Sequence, residues 1–407
     1  MKIIHTSDWH LGQEFYSFDR TEEHVSFLHQ LQDIVAQEQP DALVVSGDIF
    51  HNATPSNAVM KLFHDHIDRI RSACPSMTIV IIAGNHDSSS RLEITRTLWE
   101  HLQVYVVGKI QRGEDGVDFK QHIIPVGSTG KGACGYIVAL PFVVPQAFPL
   151  VKEDTPRNER QAVFLEQLAA AVEAVNGDEL PVVMMAHMAI AGSDITGHDL
   201  NQGGMDYLDE SELKVDYDYL ALGHIHCPQT LHTQRELSCA RYCGSPVAVN
   251  FDERYVHSVT VVELSGHHVQ PNVRTLPIHN PWPLKTLPAT PVDFEEGLNE
   301  LSRFPDDEAA YIRLNVNLAD VPPQNAFERA NAIAHPKACR FCCFKWNKTT
   351  ETVERKRIFD DIEQIKSHSP LSIAELYYEN KFGVPLKEEY KEMLEEVIYE
   401  VQHAHTS

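Results

Sequence analysis

The sequence predicts an α/β fold with a parallel sheet, and three observations predict it. Short apolar runs alternate with stretches of helical periodicity, strand, helix, strand, helix, strand, across residues 2–83. That alternation suits right-handed crossovers in a parallel layer. The apolar runs also stop abruptly at small or polar residues, and the crevice beyond the carboxyl ends of such strands is where α/β sheets bind ligands.

In chain order, residues 2–7 are a short apolar strand that leads directly into Asp8-Trp9-His10. From 19 to about 37, Phe27, Leu31, Ile34 and Val35 recur at helical spacing, with Asp19 and Glu22 placed as a capping box. Residues 41–46 form a second strand ending in Gly47-Asp48-Ile49-Phe50-His51; a helix covers 57–72. The third strand, 78–83, stops at Gly84-Asn85-His86-Asp87. There Gly84 is expected to turn the backbone sharply, Asn85 to offer a neutral carbonyl oxygen, and His86 with Asp87 to form a proton-transfer pair.

From about 103 to 149 the pattern is strand and loop, with a Gly/Ser/Thr/Lys stretch at 127–135. A helix at 157–175 carries Val163, Phe164, Leu168 and Val172 on one face, and the apolar strand 180–186 ends in His187. A polar, Gly-rich loop at 190–214 precedes a strand at 218–223 that ends in His224-Ile225-His226. Further strands such as 258–264 follow, with no later His/Asp cluster at a strand end, and the Pro-containing segment 278–291 marks a boundary. Helices at 294–304 and 325–335 with strands at 310–317 and 337–344 make a small α+β unit. The tail from about 352 is helical, its apolar stripe being Leu386, Tyr390, Met393, Leu394, Val397, Ile398 and Val401. The expected domains are therefore 1–275, 276–345 and 346–407.

The bulk properties bound the function. A chain of 407 residues with 43% hydrophobic content holds two or three globular domains, and it has neither a long apolar run nor a signal-peptide profile. A cytoplasmic protein with reduced thiols is expected from eight scattered cysteines. Cys339, Cys342 and Cys343 lack a second pair at zinc-site spacing, and Arg-Phe-Cys-Cys-Phe suits a strand. With 34 Lys and Arg against 58 Asp and Glu, the net charge of −24 argues against nucleic-acid binding driven by overall charge. It leaves room for a nucleic-acid enzyme whose metals supply positive charge locally.

Five strand ends carry Asp8/His10, Asp48, Asn85/His86, His187 and His224/His226. The i, i+2 pairs fall on one face of an extended backbone, so each pair can reach a common point. Any one strand-end His or Asp is usually a solvated or capping residue; five together predict two metal ions, bridged by Asp48. Two ions ~3.5 to 4 Å apart neutralise charge on the attacking and leaving oxygens of a phosphoryl group. Mixed nitrogen and oxygen donors suit Mn, Fe or Zn better than Mg or Ca. His86 then faces the substrate as proton donor to the leaving alkoxide, with Asp87 orienting its ring. His5, His24, His29, His64, His66 and His101 lie away from strand ends and are expected to be structural.

Asp8-x-His10, Gly47-Asp48, Gly84-Asn85-His86-Asp87, His187 and Gly223-His224-x-His226, in that order, resemble the calcineurin-like metallophosphoesterase family. The resemblance implies a two-sheet sandwich flanked by helices, with the small α+β unit as a capping domain. It implies Asp8, His10, Asp48 and His226 for one metal, and Asp48, Asn85, His187 and His224 for the other. It leaves phosphoprotein phosphatases, cyclic-nucleotide phosphodiesterases and nucleases open. The finer sequence, His5 to Gly12, Ser46 to His51, Gly84 to Ser88 with Arg91-Leu92, Gly223 to Gln229 and Tyr242 to Pro246, resembles the nuclease branch. A phosphatase would show Asp-Arg-Gly after the second motif, where this chain has Ile49-Phe50-His51, and Glu in place of Asp87.

By that resemblance the substrate is DNA, cut by exonuclease action on ends and endonuclease action on single strands or hairpins, with Mn as activating metal. His51 and His86 assist the phosphate, two copies pair through nuclease-domain helices, and the helical tail holds the SbcC ATPase, giving a heterotetramer with two SbcC. Arg91, Lys131 and Arg241 are candidate DNA contacts. A phosphodiesterase for small nucleotides and a non-catalytic scaffold are the alternatives; the intact ligand set argues against the scaffold.

Overall fold

The computed structural model describes residues 1–114, 116–127, 132–144, 147–148, 156–177, 179–195, 208–318, 322–348, 369–382, 386, 390–391 and 393–394. The chain divides into Met1–Val316 with Pro323–Lys345, and Asn317–Pro322 with Trp346–Ser407. The first unit opens with β1 (Lys2–Thr6), α1 (Thr21–Glu38), β2 (Ala42–Ser46), α2 (Asn57–Ala73), β3 (Thr78–Ile82) and β4 (Val104–Val107). It continues through β5 (Ile123–Val126), β6 (Gly135–Leu140), α3 (Arg157–Val175), β7 (Val182–His187), β8 (Tyr219–Gly223), β9 (Gln229–Leu231) and β10 (Cys239–Tyr242). Then come β11 (Ser258–Glu263), β12 (Asn272–Pro277), β13 (Leu284–Val292), α4 (Phe294–Arg303), β14 (Tyr311–Leu318), α5 (Ala326–Ala334) and β15 (Arg340–Lys348).

Two six-stranded sheets result, in the orders β12-β11-β1-β2-β3-β4 and β9-β10-β8-β7-β6-β5. Strands β1 to β4 are parallel, as expected, with β11 and β12 added antiparallel at one edge. The second sheet repeats the plan: β6, β7, β8 and β10 are parallel, and β5 and β9 close its edges antiparallel.

Side-chain alternation makes the sandwich. Ile3, Val44, Val80 and Ile82 from the first sheet share a buried cluster with Ile137, Ala139, Val183, Met185 and Ala221 from the second. Their neighbours Ile4, Leu43, Val45, Ile79 and Ile81 point the other way, onto Phe27 and Leu31 of α1 and Phe63 and Ile67 of α2. The second sheet's outer face, with Val138, Met184 and Leu220, packs on Phe164, Leu168 and Val172 of α3. Strands buried on both faces read as continuous apolar runs, which is why they are recognisable in the sequence.

Two local expectations are corrected. The helix does not begin with a capping box at Asp19: Arg20 is the N-cap, Asp19 accepts from the Thr21 N–H at 3.0 Å, and Glu22 accepts from Trp282 Nε1 at 3.0 Å. A short strand pair, Glu14–Phe15 with Phe18–Asp19, uses Asp19 first and delays the helix. The 278–291 segment is also no mere boundary, since β13 runs through Pro288 and Pro291. It is tolerated because β13 is an edge of the three-stranded sheet β13-β14-β15, with its register broken between Leu287 and Val292. The Arg-Phe-Cys-Cys-Phe run lies on β15 as expected.

In the second unit, α6 (Pro370–Phe382) falls within the expected helical tail. Of the tail's apolar stripe, Leu386 is buried and Tyr390 and Met393 are exposed; Val397, Ile398 and Val401 lie outside the described residues, as do Lys131 and residues 196–207 of the 190–214 loop. Among the described residues no helix is long and apolar enough to cross a membrane.

Candidate metal centre

The carboxyl ends of β1, β2, β3, β7 and β8 deliver all the expected residues to one edge of the sandwich. The loops after β1 and β2 stay paired beyond the strands: Asp8 N–H donates to the Gly47 carbonyl (2.9 Å), His10 to Asp48 (3.0 Å) and Leu11 to Ile49 (2.9 Å). The convergence, however, is not strand alternation. Asp8, His10, Asp48 and His224 have φ of 53°, 46°, 51° and 99°. Left-handed backbone costs roughly 1–2 kcal/mol per non-glycine residue and collects at functional sites, where the surrounding fold holds it in place. Gly84 is not a turn residue either. A Cβ there would sit 2.1 Å from Asp48 Oδ1, so glycine is required for the third strand's loop to pass the second's, and at Gly223 a Cβ would sit 1.9 Å from the Ser46 carbonyl.

Two donor groups share Asp8, with Asp48 facing both. In the first, Asp8, His10 and His226 bring ligand atoms within 4.8 Å of one another, and the Nε2 atoms of His10 and His226 are 3.1 Å apart. In the second, Asp8, Asp48 and His187 do the same. Asn85 Oδ1 lies 3.0 Å from His187 Nε2 and 3.1 Å from His224 Nδ1. One oxygen of Asp48, Oδ2, is 3.4 Å from His187 Nε2 and 3.8 Å from His10 Nε2, facing both groups as a bridge would. His187 donates Nδ1–H to the Ser46 carbonyl (2.9 Å), so its Nε2 is the nitrogen presented to the cluster.

The donor chemistry fits divalent ions. Asp8 and Asp48 are buried together with His10 and His187, and the field of the two carboxylates favours positive charge. Burial would lower the His187 pKa, but Asp48 beside it pushes it up to about 9. Burial likewise raises Asp48, yet the charge of and hydrogen bond to His187 hold it well below the usual carboxylate range. Burial keeps His10 well below its ordinary value, in the neutral form a metal ligand needs. Among the described residues, His10 Nδ1 and His51 Nδ1 are buried without a hydrogen-bond partner.

A cavity of about 220 Å³ opens over the cluster, lined among others by His10, His51, His86, His226, Glu253 and Tyr255. His86 and His51 stack side by side on its wall, their ring centroids 5.9 Å apart. His86 donates Nδ1–H to the His51 carbonyl (2.8 Å), which leaves Nε2 for the cavity. The expected pairing of Asp87 with this imidazole is replaced by another. Asp87 accepts the backbone N–H groups of Gly84 (2.8 Å), Phe50 (2.9 Å) and Ile49 (3.1 Å), tying together the loops after β2 and β3. Burial, then the charge of Asp48, pushes its pKa up to about 6.

Glu253 is a neighbour that no sequence pattern singles out. Its carboxylate is 3.6 Å from His226 Nδ1 and 3.8 Å from His257 Nε2, and it accepts from the Val249 N–H at 3.2 Å. It lies in a turn between β10 and β11, where no periodicity marks it. Of the candidate DNA contacts, Arg91 is exposed, while Arg241 is half-buried and bonds Thr230 and Thr260 on neighbouring strands.

The profile of the calcineurin-like phosphoesterase family matches residues 1–228, more than half of the chain. The chain belongs to this family, whose members are hydrolases of phosphate esters that use divalent metals. Within it, the chain is 33% identical over 299 residues to the SbcD component of the nuclease SbcCD from Rhodobacter capsulatus, covering 71% of this chain and 72% of that protein. It is 31% identical to the SbcD of Escherichia coli K12 over 274 residues (64% and 65% covered) and 29% identical to that of Bacillus subtilis over 374 residues (88% and 90%).

Proposed function

We propose that the protein is a two-metal DNA nuclease that cuts double-stranded ends as an exonuclease and single strands or hairpins as an endonuclease. In this reading it works in the cytoplasm with the SbcC ATPase in DNA repair, recombination and replication, with Mn as activating metal. The observation that carries it is the pair of donor groups sharing Asp8, with Asp48 facing both, beside a cavity walled by His10, His51, His86 and His226. Asp8, His10, Asp48 and His226 would hold one ion; Asp48, Asn85, His187 and His224 the other. When bound, these ions would place positive charge against the phosphodiester and make water easier to deprotonate.

The chain's own residues do the rest. His187, fixed through Ser46, and the left-handed Asp8, His10 and Asp48 are pre-set, so little ordering is left to binding. His86, its ring aligned by the Nδ1–H bond to the His51 carbonyl, acts as the imidazolium, gives the Nε2 proton to the leaving alkoxide and is left neutral, and His51 flanks the phosphate. Asp87 holds the loop that carries Asn85 and His86. The relatives named for the SbcCD complex support DNA as substrate and SbcC as partner. Residues 1–275 would form the nuclease domain, 276–345 the cap and 346–407 the SbcC-binding tail. Ile94 and Leu98, exposed on the helical turns at 89–100, support a homodimer paired through nuclease-domain helices, and hence a heterotetramer with two SbcC.

The test uses Mn, an end-labelled DNA hairpin and a chromogenic phosphodiester, comparing wild type with His86→Ala. DNA cleavage is expected to fall by roughly 100-fold or more in the variant, while elemental analysis finds its metal content unchanged. Activity on the small ester alone would point to a small-nucleotide phosphodiesterase. No cleavage of either, even with SbcC and ATP, would overturn the enzyme reading, and loss of metal in the variant would make His86 a ligand.

A further inference from the structure

Far from the candidate metal centre, Asp216, His267 and His268 form another group whose ligand atoms lie within 4.8 Å of one another. The two histidines occupy the turn joining β11 to β12 in the first sheet, and Asp216 leads into β8 of the second. The sequence alone offers no such cluster, because some fifty residues separate its parts. β8 carries His224 at its other end, so five residues at ~3.3 Å each put the group about 17 Å from the catalytic edge.

A buried carboxylate prepares one of the ligands. Asp218, 1% exposed, has Oδ2 at 2.9 Å from His267 Nδ1, and its oxygens also accept the backbone N–H groups of His268 (2.6 Å) and Val182 (2.8 Å). A histidine that gives Nδ1–H to a carboxylate has its tautomer fixed and presents the Nε2 lone pair outward, the arrangement found behind metal-bound imidazoles. His267 Nε2 lies 3.7 Å from Asp216 Oδ2, and His268 Nε2 lies 2.9 Å from that same oxygen. Donors held at ~2.0–2.2 Å from a tetrahedral ion are separated by about 3.3 Å, which falls between the two distances. Arg235 Nη1 sits 3.3 Å from the other oxygen, Oδ1, so it orients the carboxylate without covering Oδ2. An exposed His–Asp ion pair accounts for His268; His267, held from behind by Asp218 and with its ring centroid 3.8 Å from that of His268, brings a second Nε2 toward the same oxygen.

We propose that Asp216, His267 and His268 bind one divalent transition-metal ion of the zinc class, with water completing the shell. Two imidazoles and one carboxylate select Zn, Co or Ni over Mg or Ca. The ion joins a turn of the first sheet to the start of β8 in the second, pinning the sandwich at the end opposite its candidate active site.

The full-length protein is dialysed against Co²⁺ or Zn²⁺, bound metal is counted per chain, and Co²⁺ absorption is followed, for wild type, His268→Gln and Asp216→Asn. Both substituted side chains are more than half exposed, so the variants are expected to fold, which circular dichroism checks. The expected result is that each variant binds one ion fewer than wild type, or binds that ion at least tenfold more weakly, with phosphodiester hydrolysis unchanged. Equal stoichiometry and affinity in all three proteins would overturn the proposal. Because the count is a difference, absence of the two catalytic ions would defeat the proposed function and leave this site standing.

Discussion

At the scale of single residues, the ligands themselves are legible because each stands where an apolar run ends, whereas what aims them is not. The left-handed conformations of Asp8, His10, Asp48 and His224 follow from contacts among loops distant in sequence, and nothing in the residue types announces them. Asp87 shows the same limit. Adjacent to His86, it reads as that ring's partner, but three backbone N–H groups compete for its oxygens and win. Glu253 supports His226 from a turn that carries no pattern. Glu253→Gln keeps an acceptor for the Val249 N–H and removes the charge behind the imidazole. Metal affinity is expected to fall 10- to 100-fold, seen as a higher Mn concentration for half-maximal hydrolysis with kcat recovered at saturating Mn. Unchanged Mn dependence would reduce Glu253 to a structural residue.

At the scale of elements, strands buried on both faces are readable, while the proline-bearing edge strand β13 is not. β13 carries two prolines and packs one side only through β14, so its composition resembles a linker. Of the histidines set aside as structural, His5 on β1 and His24 on α1 are enclosed while His29 on α1 is exposed, and the enclosure has a consequence for acid stability. Burial, then the charge of Arg241, lowers the His5 pKa to about 3; burial, then Arg20, lowers His24 to about 3. Both therefore stay neutral in the folded chain while the unfolded chain takes up protons below its ordinary value near 6.5. Their contribution is fully present above about pH 6.5 and is lost as pH falls toward 3. From pH 7.5 to pH 5 each is expected to cost about 2 kcal/mol, lowering the urea midpoint. His24→Leu should flatten part of that slope; an unaltered slope would mean that His24 is protonated or exposed in the native state.

At the scale of the whole molecule, a chain of net charge −24 proposed to act on DNA must overcome repulsion, which makes the local charge of bound metals and a partner's surface decisive. The architecture separates these two requirements along the chain. The three clusters that build the sandwich draw their fully buried residues from positions 3–278, and none of them needs the tail. Deleting residues 352–407 is therefore expected to leave the sandwich folded, with an unchanged circular dichroism melt apart from the lost helical signal. Mn-dependent cleavage of short single-stranded DNA should stay within about twofold of wild type, because Asp48 and its neighbours are held by β1, β2, β3, β7, β8 and the turn that carries Glu253, all outside the deleted segment. Co-purification with SbcC should disappear, since the tail's exposed apolar residues, Leu376, Tyr377, Tyr390 and Met393, are the proposed partner face. SbcC retained at full-length levels would move the partner site onto the sandwich or the cap, and loss of single-strand cleavage in a folded truncate would show that the tail also serves the active site.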